Sequence, residues 1–238
     1  MMRLGSLYAQ VGRKEEAEQT LLKSLRIRET KLGANHSRVG QTLKHLLTFY
    51  EENGMYDKAA ECGERALKIT ETVFGLDDIN VAGILLRLSR LYMSQKKFPV
   101  AKATLKRALN ISTAKFGEEH PYTSDVYYEF GCYYFTRPER LGTDKNSSSF
   151  SKDKAEKYFI KALKIKEATV GKDHPDVSRI LTRLGSLYIE RVEYPKAEDF
   201  LKRSLKIRES TLGSSHTRVA QTLKHLLTLY ELQEKFDG

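Results

Sequence analysis

The stretch His36-Ser-Arg-Val-Gly-Gln-Thr-Leu-Lys-His-Leu-Leu-Thr-Phe-Tyr50 is written a second time, as His216-Thr-Arg-Val-Ala-Gln-Thr-Leu-Lys-His-Leu-Leu-Thr-Leu-Tyr230, 180 residues further on. In the first copy Leu43, Leu46, Leu47 and Tyr50 fall at the i, i+3, i+4, i+7 spacing of one helical face. An amphipathic helix used twice points to a tandem array, and the chain between the copies gives its period. Tyr8, Tyr50, Tyr92, Tyr134, Tyr188 and Tyr230 are separated by 42, 42, 42, 54 and 42 residues, and Gly33, Gly75, Gly117, Gly171 and Gly213 by 42, 42, 54 and 42. Ala17, Ala59, Ala101, Ala155 and Ala197 keep the same step and share the same 12-residue insertion. A fixed period of this size is the signature of a solenoid, in which each repeat buries its apolar face against its neighbours.

Within one period two helices can be read. Leu85, Leu88, Ser89 and Tyr92 form the stripe of a first helix, and Ala101, Leu105, Ala108, Leu109 and Ile111 line a second. The recurring glycine ends the second helix, because glycine takes the left-handed conformation that closes a helix without steric cost. Gly5, Ser89, Gly131 and Gly185 share one first-helix position, where small size lets the partner helix approach; Leu47 and Leu227 break that rule. No alternating strand pattern is present, so the reading is all-α. Residues 136–152 carry the insertion and are rich in Ser, Gly and charge, including Ser147-Ser-Ser149, which predicts a flexible loop within the fourth repeat. Residues 1–238 are thus expected to form one array of about five full repeats with partial ones at both ends. The uncapped ends suggest a piece of a longer array that self-associates end to end.

The 238 residues carry 41 Lys and Arg against 31 Asp and Glu, a net charge of +10 that favours acidic partners. No run of about 18 apolar residues could span a bilayer, so no membrane insertion is expected and the chain reads as cytoplasmic. Cys62 and Cys132 lie inside helical patterns and read as free core thiols.

The tyrosine in the first helix, the alanine nine residues on and a second alanine seven later, as in Tyr50, Ala59 and Ala66, resemble the tetratricopeptide repeat (TPR). With the 42-residue period, Lys161-Ala-Leu-Lys-Ile-Lys-Glu-Ala-Thr-Val-Gly-Lys-Asp-His-Pro-Asp-Val177 and Lys202-Arg-Ser-Leu-Lys-Ile-Arg-Glu-Ser-Thr-Leu-Gly213 resemble the repeats of kinesin light chains and nephrocystin-3. The resemblance implies a right-handed α-solenoid, a superhelix of antiparallel helix pairs whose first helices line a concave groove that takes peptides. It also implies a role within a larger protein, either a nephrocystin-3-like signalling ATPase or a motor adaptor. Kinesin light chains carry an Asn pair on the groove helix. Here those positions are Lys44-His45, Leu86-Arg87, Tyr128-Glu129, Thr182-Arg183 and Lys224-His225, so their cargo specificity does not transfer.

With the leucine stripe inward, the other flank of each first helix faces the groove. That predicts Gln41, Lys44, His45 and Thr48 in one repeat and Arg87 and Arg90 in the next. It also predicts Tyr128, Glu129 and Phe135 beside the insertion, then Arg179, Thr182, Arg183 and Ser186, and finally Gln221, Lys224 and His225. Such a groove suits acidic protein or peptide segments with apolar anchors, held by charge-assisted hydrogen bonds. His36, His120, His174 and His216 stand one repeat apart and do not converge as metal ligands must; with Asp78 in the same place, they read as turn residues. No nucleophile elbow, phosphate-binding glycine loop or HExxH helix is present, so no enzyme activity, cofactor, metal or small-molecule substrate is expected. Nucleic acid is the weaker partner class, because no aromatic ladder for base stacking recurs.

Overall fold

From the second repeat on, each first helix starts on a side chain that caps it. His36, His120, His174 and His216 accept through Nδ1 from the backbone N–H two residues on, at 3.1, 3.1, 3.2 and 3.1 Å. Asp78 does the same through its carboxylate at 2.8 Å. The histidine series is therefore a set of N-caps satisfying otherwise orphaned amides, and aspartate replaces it because both offer a short-range acceptor.

The computed structural model describes residues 2–137 and 146–237. Its helices are α1 (Met2–Gln10), α2 (Lys14–Leu32), α3 (Ser37–Glu52), α4 (Tyr56–Phe74), α5 (Ile79–Ser94), α6 (Phe98–Phe116), α7 (Pro121–Thr136), α8 (Asn146–Val170), α9 (Pro175–Glu190), α10 (Tyr194–Leu212) and α11 (Thr217–Asp237). The described residues contain no strand. The chain divides into two compact halves, Met1–Lys115 and Phe116–Gly238. In the first half α1 packs on α2, α3 on α4, and α3 also on α2 and α1. In the second half α7 packs on α8, α9 on α10, and α9 also on α8, α7 and α11. First helices touch one another at α1 and α3 in the first half and at α7, α9 and α11 in the second, which is the stacking of a TPR-type helical array.

The period markers have distinct physical roles. Ala17, Ala59, Ala101, Ala155 and Ala197 are fully buried, and Ala17 and Ala197 lie against the small residue of the paired first helix, Gly5 and Gly185. The tyrosines reach back to the preceding second helix: Tyr50 Oη donates to Glu18 at 2.9 Å, Tyr92 to Glu64 at 2.8 Å, Tyr230 to Glu198 at 2.7 Å, and Tyr188 to Glu156. A buried ring that finds a carboxylate at its tip contributes both packing and a charge-assisted bond.

The small-residue position is a contact between paired helices. A Cβ on Gly185 would lie 2.5 Å from Leu201 Cγ, and one on Gly5 would lie 2.9 Å from Leu21 Cγ. Leu47 breaks the pattern because its partner helix supplies the gap instead: Gly63 occupies the place held by Leu21 and Leu201, and a Cβ there would stand 3.7 Å from Leu47 Cδ1.

Two expectations change. The closing glycines have positive φ but extended ψ, as at Gly75 (90°, 164°), outside the compact left-handed region and open to glycine alone. The loop expected over 136–152 is shorter than its composition suggests. Thr136 ends α7, and Asn146–Lys152 form the first turns of α8. There Ser151 Oγ donates to the Tyr134 carbonyl at 2.7 Å and Lys152 pairs with Glu190 at 3.3 Å. Residues 138–145 of that stretch lie outside the described residues.

Candidate functional site

In the first half, the outer flank of α3 and α5 carries the expected polar residues with unequal freedom. Gln41 and His45 are exposed on α3, whereas Lys44 and Thr48 are half-buried. Burial, with Arg87 adding to it, pulls the Lys44 ammonium below its ordinary range. Arg87 is committed within the protein: its Nε donates to Glu51 at 3.0 Å and Nη2 to Thr48 Oγ1 at 2.8 Å. Arg90 is exposed. Further arginines of this half are also matched by acids of the preceding repeat, Arg65 by Glu29 and Arg107 by Glu71, each at 2.5 Å.

That series continues in the second half as Lys161 with Glu118 and Arg203 with Glu167, both at 2.6 Å, but the first-helix flank there differs. This flank and α10 enclose a cavity of about 300 Å³ whose lining includes Tyr128, Arg179, Arg183, Arg208, Arg218 and His225. Arg179 stacks with Cζ 4.3 Å from the Tyr128 ring centroid and its Nη2 reaches Asp125 at 3.1 Å, while its buried Nε has no hydrogen-bond partner. Arg183 Nε approaches Tyr128 Oη at 3.4 Å. Arg208 is only 6% exposed, with Nε 3.3 Å from Ser178 Oγ and Nη1 donating to the Arg218 carbonyl and Thr222 Oγ1, both at 2.7 Å. Burial, reinforced by Arg218, lowers the Arg208 guanidinium from its ordinary range. Burial also lowers His225, and Arg183, Arg208 and Lys224 push it the same way. This is a concave, positively charged site with a neutral imidazole on its wall.

The structure thus brings Tyr128, Arg179, Thr182, Arg183, Gln221 and His225 of the expected set to one cavity. Three expected residues are buried, not open flank positions. Tyr128 is 6% exposed and offers its ring to Arg179. Thr182 is 9% exposed, because its hydroxyl bonds the Ser178 carbonyl at 2.9 Å and Ser204 Oγ at 2.8 Å between α9 and α10. Glu129, at 5% exposure, is packed within α7. Phe135 and Ser186 are half-buried and Lys224 is exposed, all three outside the cavity lining. Arg208 and Arg218 lie outside the set expected from the flanks: Arg208 enters from a second helix, α10, and Arg218 from the first turn of α11, ahead of the flank positions Gln221, Lys224 and His225. Both thiols are unpaired and pushed up by burial, Cys62 to about 11 and Cys132 to about 12. Neither is a poised nucleophile.

Two family profiles, each described as tetratricopeptide repeat, match the chain, one over residues 1–72 and 152–210 and the other over 81–122. No curated protein matches. Among solved structures, BtubC (BKLC) from P. vanneervenii is 18% identical with a TM-score of 0.68, covering 94% of this chain and 84% of its own. A Podosopora anserina protein with nearly identical TPR-like repeats, described as a kinesin light chain, is 20% identical with a TM-score of 0.69 over 88% of this chain and 93% of its own. PilF of Pseudomonas aeruginosa is 19% identical with a TM-score of 0.54 over 97% and 89%. At these identities the likeness is one of fold.

Proposed function

The chain belongs to the tetratricopeptide-repeat family, whose repeats generally serve as protein–protein interaction scaffolds, and on that premise we propose that it binds acidic, partly apolar segments of partner proteins along its first-helix flanks. The observation that carries this reading is the recurrence of cationic side chains there: Lys44, Arg87 and Arg90 in one half, and Arg179, Arg183 and Lys224 in the other. Arg183 and Lys224 weigh most, since neither is held by a carboxylate among the described residues. Guanidinium groups give bidentate, charge-assisted bonds to carboxylates. Phe135, half-buried, supplies apolar surface for a leucine or aromatic anchor. Among the described residues no helix is long and apolar enough to cross a membrane.

A peptide array of acidic segments with one leucine or aromatic anchor tests the reading. The best binders should lose roughly tenfold or more in affinity on Arg183→Glu or Lys44→Glu, about 1.4 kcal/mol each. Unchanged binding in both variants would sink the flank assignment.

A further inference from the structure

Successive hairpins of the second half treat one buried cation in opposite ways. Lys166 of α8 has a side chain only 4% exposed, and two acids serve it: Asp125 Oδ1 at 3.0 Å and Asp176 Oδ2 at 3.5 Å. One period on, the same three positions are Arg208, Arg179 and Arg218. The cation is kept and both aspartates have become arginines. Arg208 is as deeply placed as Lys166, yet its described partners are a carbonyl and two hydroxyls, none of them charged.

Internal architecture explains part of this arrangement. Nη1 of Arg208 ties α10 to the first turn of α11, as Arg28 ties α2 to α3 through the Arg38 carbonyl and Thr42 Oγ1 at 2.8 and 2.9 Å. It does not explain why Arg208 meets no charged partner among its described contacts, nor why Arg183 and Arg218 line the same cavity without an ion pair among the described residues. At Arg87, the repeat-equivalent of Arg183, Glu51 neutralises the guanidinium; the position equivalent to Glu51 is here Phe135. The acids nearby are Asp125, shared between Lys166 and Arg179, Asp176 on Lys166, and the buried Glu129 of α7, whose charge acts on Arg179 and Arg183; none of them pairs with Arg208 or Arg218 among the described residues. A buried charge without a counterion is costly, so this cavity is built for an anion that arrives from outside.

The number of donors identifies the anion's chemistry. A carboxylate brings one charge and two acceptor atoms, which two arginines satisfy. A phosphate monoester brings nearly two charges and three strong acceptor oxygens, matching the guanidiniums of Arg183, Arg208 and Arg218, with Arg179, whose Nε has no partner, in the same lining. We propose that this cavity binds the phosphoryl group of a phosphorylated side chain in the partner segment, so that phosphorylation of the partner switches docking on the second half. The proposal rests on the peptide-scaffold reading above.

The test uses the full 238-residue chain at fixed ionic strength. Three fluorescent pools of short acidic peptides, identical except for a central serine, phosphoserine or glutamate, are titrated by anisotropy against wild type and against Arg183→Gln/Arg218→Gln. Neither side chain is part of an ion pair among the described residues, so the thermal midpoint should hold; Arg208→Lys, which keeps the charge but loses the fork, is the second variant. The phosphoserine pool should bind roughly tenfold or more tightly than the serine pool, with that preference lost in both variants. Millimolar inorganic phosphate should compete weakly. Equal binding of the three pools overturns the phosphate site and leaves the scaffold reading intact, whereas no binding of any pool removes both. Inorganic phosphate binding as tightly as the phosphopeptides would make this a free-phosphate site, and tighter binding of mixed single-stranded RNA would make the partner a nucleic acid; either overturns the peptide assignment.

Discussion

The duplicated helix meets opposite surroundings in its two places. On α3, Leu43 and Leu47 are fully buried and Tyr50 is 4% exposed; on α11, Leu223 is 46% exposed, Leu227 58% and Tyr230 38%. The other side of the same helix does not change: Val39 and Val219, Thr42 and Thr222, and Leu46 and Leu226 are buried in both copies. That second side packs on the hairpin before it, which both copies have. The first side of α3 meets α4, with Leu47 beside Gly63. The contrast shows that a repeat helix carries two independent apolar contacts, and that its own sequence determines neither. Each is completed by a neighbouring hairpin, so local stability follows the number of neighbours.

The largest effect expected from this comparison is a difference between identical substitutions. Leu47→Ala should lower stability by roughly 3 to 5 kcal/mol, because it removes a fully buried side chain facing a gap shaped for it. Leu227→Ala should cost less than about 0.5 kcal/mol, since most of that side chain is already in water. Urea denaturation of the two variants measures both, and similar losses would mean that α11 is covered in solution.

A smaller effect tests what the copies share. Both begin on a histidine accepting from an amide at 3.1 Å, so His36→Ala and His216→Ala should each cost about 1 kcal/mol. His36→Asp should retain the cap, since Asp78 makes the same bond. Amide exchange in the first turns of α3 and α11 reports the loss directly; an equal loss in His36→Asp would show that the imidazole matters for something other than capping.

Legibility in the sequence followed the same division between what is local and what is completed by neighbours. The tyrosine, glycine and alanine series gave the hairpins and their period, because each mark is a local demand that recurs whenever the same contact recurs. Asp78 in the histidine series already signalled capping. The exception at Leu47 was visible, but its compensation at Gly63 lay on another helix and needed the pairing to be seen. The candidate site was half legible. First-helix periodicity placed Arg179, Arg183 and His225, whereas Arg208 looked like one more cation on a second helix. Its signal was the exchange of Asp125 and Asp176 for Arg179 and Arg218 one repeat later, which acquires meaning only once Lys166 is known to lie between those two acids. Composition misled at Asn146–Lys152, where serines that suggest a loop start α8 instead, anchored by Ser151 on Tyr134.

The smallest expected effect asks whether the copies differ electrostatically at their Lys-His pair. His225 is lowered from its ordinary 6.5 by burial first and then by Arg183 of α9, Arg208 of α10 and Lys224 beside it on α11. A histidine whose folded value is depressed favours the neutral ring. Its contribution to stability is therefore complete above about 6.5 and is lost as pH falls through the folded value, because the unfolded chain takes up the proton more readily. The thermal midpoint of wild type should fall on acidification through this window more than that of His225→Gln. The difference is modest because the imidazole is half-exposed and its neighbours are screened by salt. NMR titration of the ring should place His225 below 6.5 in the free protein and move it upward when a phosphopeptide fills the cavity, since an anion cancels the three cations that hold it down. A ring that titrates at its ordinary value in the free protein would mean that the cavity's positive charge is already neutralised from within, which would remove the electrostatic distinction between the two halves.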